Sequence, residues 1–243
     1  MAALLEIRGL TKRFGGVYAN HDVSFDVDAG AIVGLIGPNG AGKTTLFNLV
    51  TGFFAPDAGD VRFDGRAITG LRPDVLNRRG VARTFQILKP FPRLTVEENV
   101  MVGALARGES MTAARELARR CLELVGIAHK TADLARNLST GQRKRLEMAR
   151  AMATRPRLLL LDEVTSGVDQ PSVPGLIELV GRLRGEGVTL LVIEHNMRVI
   201  MELADKVVFL HLGEKLAEGV PAEIARHPSV VSLYLGSQRA ERS

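Results

Sequence analysis

The chain has 243 residues, one cysteine, no tryptophan, 46% hydrophobic and 24% charged residues, and a formal net charge of +5. A chain this long buries enough apolar surface to be stable without staples, and one cysteine excludes an internal disulfide framework. The basic excess is small and scattered. Clusters such as Arg78-Arg79 and Arg143-Lys144-Arg145 are therefore expected to be solvated surface or helix face, not a nucleic-acid footprint.

The N-terminus lacks the charged segment and long apolar run of a signal peptide, and no apolar run approaches the ~20 residues of a membrane helix. Any service to a membrane must then pass through another chain. Leu4–Arg8, Val23–Val27 and Val61–Asp64 cluster or alternate apolar residues, with turn signals at Gly15-Gly16, Asp28-Ala29-Gly30 and Asp64-Gly65. Strands so close together, with no helix between them, predict a small antiparallel sheet. Phe14 falls in the first turn, where its ring can pack in a core or stack on another flat ring.

Ala31–Ile36 is a short apolar run fit for a buried strand, and Thr45–Val50 reads as a helix stopped by Gly52. Between them stands Gly37-Pro38-Asn39-Gly40-Ala41-Gly42-Lys43-Thr44-Thr45, which matches G-x-x-x-x-G-K-[ST] from Gly37 through Thr44. Strand, glycine loop and helix together form a phosphate cradle. The glycines let backbone N–H groups turn inward, and the helix N-terminus adds positive potential. Lys43 reaches the β- and γ-phosphates, and Thr44 offers its hydroxyl to Mg²⁺. The expected ligands are a nucleoside triphosphate and Mg²⁺.

Arg72–Gly80 reads as a short polar helix and Val81–Phe85 as a strand ending in Gln86, after which Lys89-Pro90-Phe91-Pro92 breaks regular structure. From Thr95 to Ala153 the pattern is helical, opening with a capping box at Thr95–Glu98. Cys121 lies on an apolar helical face as a small core residue. Leu158–Leu161 reads as a strand buried on both faces. The helix Pro174–Arg184, the strand Val188–Ile193, a helix from Asn196 to Leu203 and a final strand at Lys206–Leu210 follow. Pro221–Arg226 and Ser229–Gly236 read as short terminal helices before a frayed tail, 237–243.

Asp162 and Glu163 stand at the carboxyl end of the leucine strand, where open parallel sheets bind ligands. Asp162 suits Mg²⁺, and Glu163 suits the general base for an attacking water. Leu138-Ser139-Thr140-Gly141-Gln142 opens a helix. Ser139 and Gln142 fit a capping box, yet such an N-terminus is also an anion site. A second phosphate-binding helix exceeds the needs of one nucleotide and suggests service to another subunit. Gln86 and His195 each follow a predicted strand and read as γ-phosphate and water sensors.

In this order these motifs make the chain resemble the ATPase subunit of an ABC transporter, from Leu4 to about Gly236. The resemblance implies an α/β P-loop NTPase core with a mainly parallel sheet, an N-terminal antiparallel β-subdomain and an inserted α-helical subdomain. As one ABC-type nucleotide-binding domain, the core would span 1–88 and 155–236 and the helical insert about 89–154. It implies Phe14 as the adenine-stacking aromatic, Gln86 as the Q-loop residue and a Mg²⁺ ligand with Thr44 and Asp162, and Ser139 to Gln142 as the signature. Glu163 would be the catalytic base, Asp169 the D-loop acid and His195 the switch histidine.

Such subunits work as dimers with ATP held between protomers, so the implied partners are a second copy or a paralogue and transmembrane permease subunits. An extracytoplasmic solute-binding protein is a further implied partner; no nucleic acid is expected. The implied location is the cytoplasmic face of the inner membrane. Phe14-Gly15-Gly16, Leu46-Phe47-Asn48-Leu49 with Thr51-Gly52-Phe53, Gly80 to Gln86, and Leu233-Tyr234-Leu235-Gly236 resemble the branched-chain amino acid importer ATPases. A lipid-type exporter ATPase and an ABC-type ATPase acting on nucleic acid or ribosomes are the alternatives. A small-molecule kinase leaves Leu138–Gln142 unexplained. The chain departs from the family pattern at Thr140, Val164 (where a proline is common) and Asn196.

Overall fold

In a computed structural model describing residues 3–85 and 90–233, the chain opens on two twelve-residue strands, β1 (Ala3–Phe14) and β2 (Val17–Asp28). Leu5, Ile7 and Leu10 of β1 and Val23, Phe25 and Val27 of β2 are buried, while Arg8 and Asp26 pair across the exposed side at 3.0 Å. β3 (Ile32–Ile36) is buried throughout and leads into α1 (Lys43–Val50). After β4 (Ala58–Phe63) and β5 (Arg66–Ala67), α2 (Pro73–Arg78) ends the first segment. The expected antiparallel sheet is present, ordered β2-β1-β4-β5.

The next segment holds β6 (Val81–Arg83), α3 (Val96–Leu105), α4 (Met111–Leu124), α5 (Thr140–Met152), β7 (Leu158–Asp162) and α6 (Val173–Gly185). Thr95 caps α3 through the expected capping box, its hydroxyl accepting from Glu98 N–H while Glu98 accepts from Thr95 N–H. Cys121 is buried in α4, and burial pushes its thiol up to about 11, so it is an inert core residue. β6 and β7 pair in parallel.

The last segment contains β8 (Thr189–Ile193), α7 (Met197–Leu203), β9 (Lys206–His211), β10 (Glu214–Gly219) and α8 (Pro221–Ile224). β3 runs parallel to both β8 and β9, and Ile36 packs with Ile200, Val207, Phe209, Ile224 and Val230. The chain divides into two compact units, Met1–Leu76 with Thr189–Ser243, and Asn77–Val188.

Two expectations are corrected. Lys206–Leu210 is not the final strand, because β10 pairs antiparallel with β9 through a two-residue turn at Leu212-Gly213. β10 escapes an apolar-pattern reading because it is a mostly exposed edge, where Glu218 accepts from Lys206 Nζ at 2.9 Å and Lys215 Nζ at 2.6 Å. Nor is Arg143-Lys144-Arg145 a solvated face. Lys144 is 5% exposed, and Arg145 donates to the carbonyls of Val125 (2.7 Å) and Gly175 (3.0 Å). At Val125, the C-cap of α4, the long basic side chain satisfies a carbonyl that the helix end leaves open.

Candidate nucleotide site

The glycine loop belongs to the first unit. Gly37, Gly40 and Gly42 all take positive φ (149°, 77° and 97°), which turns successive N–H groups to one side. Gly42 is irreplaceable on steric grounds: a Cβ there would lie 2.1 Å from the Ala19 carbonyl oxygen. Asn20, itself fully buried, donates from Nδ2 to the Gly42 carbonyl at 3.3 Å. Pro38 is half-buried, Asn39, Gly40 and Thr44 are exposed, Ala41 is buried, and Thr45 is half-buried in the first turn of α1. Lys43 is 6% exposed and donates from Nζ to the Gly37 carbonyl at 2.7 Å and the Pro38 carbonyl at 2.8 Å. The ammonium is thereby held against the loop, where charged phosphate oxygens make stronger acceptors than neutral carbonyls.

Phe14 ends β1, pairing with Val17, and is not itself in the turn. It stays 47% exposed and meets Phe54 edge-on, with ring centroids 5.4 Å apart. Lys12 Nζ lies over the same ring, 5.6 Å from its centroid. His195 follows β8 by two residues and is exposed; its N–H donates to the carboxylate of Glu194, which is 2% exposed, at 3.3 Å.

The second unit carries the carboxylates. Asp162 is the last residue of β7, and its N–H donates to Thr84 Oγ1 at 3.1 Å, while Thr84 N–H donates to the Leu160 carbonyl at 2.9 Å. Its Oδ2 pairs with Arg83 Nη2 at 3.3 Å, with side-chain exposures of 2% and 6%. Burial pushes the Asp162 carboxyl up, Arg83 opposing and Glu163 reinforcing the shift; burial likewise lowers Arg83. Oδ1 of Asp162 is buried without a hydrogen-bond partner. An orphaned carboxylate oxygen fits the hard, oxygen-seeking chemistry of Mg²⁺.

Glu163 follows at φ +51°, a left-handed backbone, and Lys144 Nζ donates to its main-chain carbonyl. A proline at 164 would bias Glu163 toward extended backbone; Val164 imposes no such bias and is buried at 3%.

Sequence reasoning missed three side chains in this cluster: Arg83, Lys144 and Glu147. Glu147 accepts from Phe85 N–H at 2.9 Å, and burial raises its carboxyl to about 7. Arg83 at least shares a strand face with buried Val81, but Lys144 and Glu147 stand among other charged residues of α5, and only the neighbouring elements set them apart.

Ser139 caps α5. Its hydroxyl accepts from Gln142 N–H at 3.3 Å, and Gln142 Oε1 accepts from Ser139 N–H at 3.0 Å. Thr140 is exposed and Gly141 is half-buried beside them. Asp169 is exposed, its carboxylate accepting from Ser172 Oγ at 2.9 Å. Gln86 lies outside the described residues. The first unit thus carries 37–45, Phe14 and His195, and the second carries Asp162, Glu163, Asp169 and Ser139–Gln142.

The family model described as ABC transporter matches residues 20–166. The chain belongs to the ABC transporter ATP-binding family. Its members are ATPases that hydrolyse ATP to drive transport, and nucleotide binding is common to them.

The cassette is 41% identical over 251 aligned residues to the high-affinity branched-chain amino acid transport ATP-binding protein BraF of Pseudomonas aeruginosa, with 96% of this chain and 98% of that one covered. It is 39% identical to LivG of Salmonella typhimurium with the same coverage. To the lipopolysaccharide export ATP-binding protein LptB of Escherichia coli it is 37% identical, again covering 96% and 98%.

The crystal structure of the ADP conformation of an ABC transporter cassette superposes with a TM-score of 0.89 at 32% identity, covering 97% of this chain and all of that one. A dimeric bacterial ABC transporter cassette does so at 0.80 and 27%, covering 89% and 98%. The expected α/β fold is therefore present. No helix among the described residues is long and apolar enough to cross a membrane.

Proposed function

We propose that this cassette is the ATP-hydrolysing subunit of an importer for branched-chain or related amino acids. The observation that carries the reading is the 41% identity to BraF over nearly the whole of both chains. The phosphate loop supports it, being intact from Gly37 to Thr44 with Lys43 buried against it.

In this reading Phe14 stacks on the adenine, Lys43 and the loop N–H groups bind the phosphates, and Thr44, Asp162 and Gln86 hold Mg²⁺. The ion, when bound, neutralises charge developing on the phosphoryl oxygens. Glu163 accepts a proton from the attacking water, and His195 and Gln86 orient that water and the γ-phosphate. Ser139 to Gln142 and Asp169 serve the nucleotide of a second cassette, a copy or a paralogue. The cassette then sits on the cytoplasmic face of the inner membrane against permease subunits, with a solute-binding protein outside.

A second reading, lipid-type export, is favoured by the 37% identity to LptB at equal coverage. The test is purification of the tagged chain in mild detergent from its native cells, with mass spectrometry of its companions and labelled-leucine uptake by cells lacking it. Permeases with a solute-binding protein, and lost uptake, are expected. Lipid-export components with unchanged uptake would establish the second reading, and ribosomal or DNA-bound companions would end both.

A further inference from the structure

Glu163 takes a backbone conformation that side-chain-bearing residues seldom adopt. At φ +51° its Cβ crowds the following carbonyl oxygen, and such a residue persists only where its surroundings hold it. Two donors hold the carbonyl: Ser166 N–H at 3.3 Å, from its own turn, and Lys144 Nζ, from another element. Lys144 is 5% exposed, so its ammonium must find acceptors inside the fold.

It lies on α5 one turn beyond Gly141, and one turn further the same helix offers Glu147 to the N–H of Phe85. The helix headed by Ser139 thus grips two segments at once, the one leaving β7 and the one leaving β6.

We propose that Lys144 is a positioning residue for hydrolysis: through the Glu163 carbonyl it fixes the backbone that aims the Glu163 carboxylate, and it ties that aim to the placement of α5. The inference rests on Glu163 being the base. A side chain in ordinary helical contact would lose stability when truncated; a positioning residue loses turnover while nucleotide binding is retained.

The test uses the full chain as wild type, Lys144→Met and Lys144→Arg, with steady-state ATPase kinetics, fluorescent-ATP titration and thermal melting. Lys144→Met is expected to lower kcat roughly 10- to 100-fold, the scale of a misplaced catalytic group, with KM and nucleotide affinity within about twofold. Lys144→Arg, which keeps a charged donor, is expected within about threefold of wild type. In a Glu163→Gln background, Lys144→Met should cause no further loss, since the two act as a unit.

Unchanged kcat in Lys144→Met, a raised KM at constant kcat, or a further loss in the Glu163→Gln background would overturn the proposal. Glu163→Gln alone judges the base: wild-type turnover there removes Glu163 from the mechanism, whatever Lys144 does. Should Lys144→Met not fold, Lys144→Gln, a shorter neutral donor, is read by the same criteria.

Discussion

Arg83 and Asp162 face each other as a buried ion pair, Nη2 to Oδ2 at 3.3 Å, at the ends of two adjacent parallel strands. Burial disfavours the charge on each, and each is the largest influence favouring the other's charged form. The Arg83 guanidinium also lies over the Phe85 ring, 4.6 Å from its centroid. Arg83→Leu would leave the Asp162 carboxylate uncompensated. Urea unfolding at pH 8 should show a loss of about 3 kcal/mol, the usual consequence of removing one partner of a buried pair. Arg83→Leu with Asp162→Asn should recover part of it; no loss in the single variant would refute the pairing.

Glu147 gives a pH-dependent prediction. Burial raises its carboxyl from the usual carboxylate range to about 7, so the folded state binds a proton more readily than the unfolded chain. Its contribution therefore favours the fold at acid pH and weakens as pH rises from about 4.5 through 7. Glu147→Gln keeps a carbonyl for Phe85 N–H but removes the titration. It should be more stable than wild type at pH 8, by on the order of 2 kcal/mol, and show no advantage near pH 4.5. Melting curves at the two pH values check the sign; equal differences at both would contradict it.

Lys43→Ala removes the ammonium that the loop holds against its own carbonyls. Fluorescent-ATP titration should show affinity reduced on the order of 30- to 100-fold, a charged hydrogen-bonding group's worth. Retained wild-type affinity would contradict the assignment of the cradle.

Glu163→Gln should cut ATP turnover by at least about 100-fold, the usual contribution of a positioned proton acceptor. ATP should remain bound, and light scattering should detect an ATP-dependent dimer. A variant turning over at the wild-type rate would place the base elsewhere.

How much was legible depended on whether a residue's role is written in its neighbours along the chain. The strand, glycine loop and helix around 37–45, both capping boxes and the leucine strand are local patterns, and each of these elements stands where its residues predict it. Two turns mark the boundary. Asp64-Gly65, with φ of 52° and 70°, reverses the chain between Phe63 and Arg66, and an Asp-Gly pair announces such a turn. Leu212-Gly213 makes the same kind of turn, with φ of 49° and 84° between His211 and Glu214. Leucine is not a residue that advertises positive φ, so the hairpin and β10 went unread. Lys144 was hidden for another reason. In sequence it is the middle of a basic triplet, and only the packing of α5 turns it inward.

The closed capping box at Ser139 bears on which ions this helix end can accept. A hydroxyl has one proton to give, and Ser139 already uses an oxygen lone pair on Gln142 N–H, while the Gln142 carbonyl is engaged by Ser139 N–H. The capping box uses none of the side-chain donors, the serine proton and the glutamine amide hydrogens. Capping and phosphate binding are thus not rival uses of the same atoms. An anion arriving at this helix end would therefore find donors that folding has left uncommitted, and the cap would not have to open to receive it.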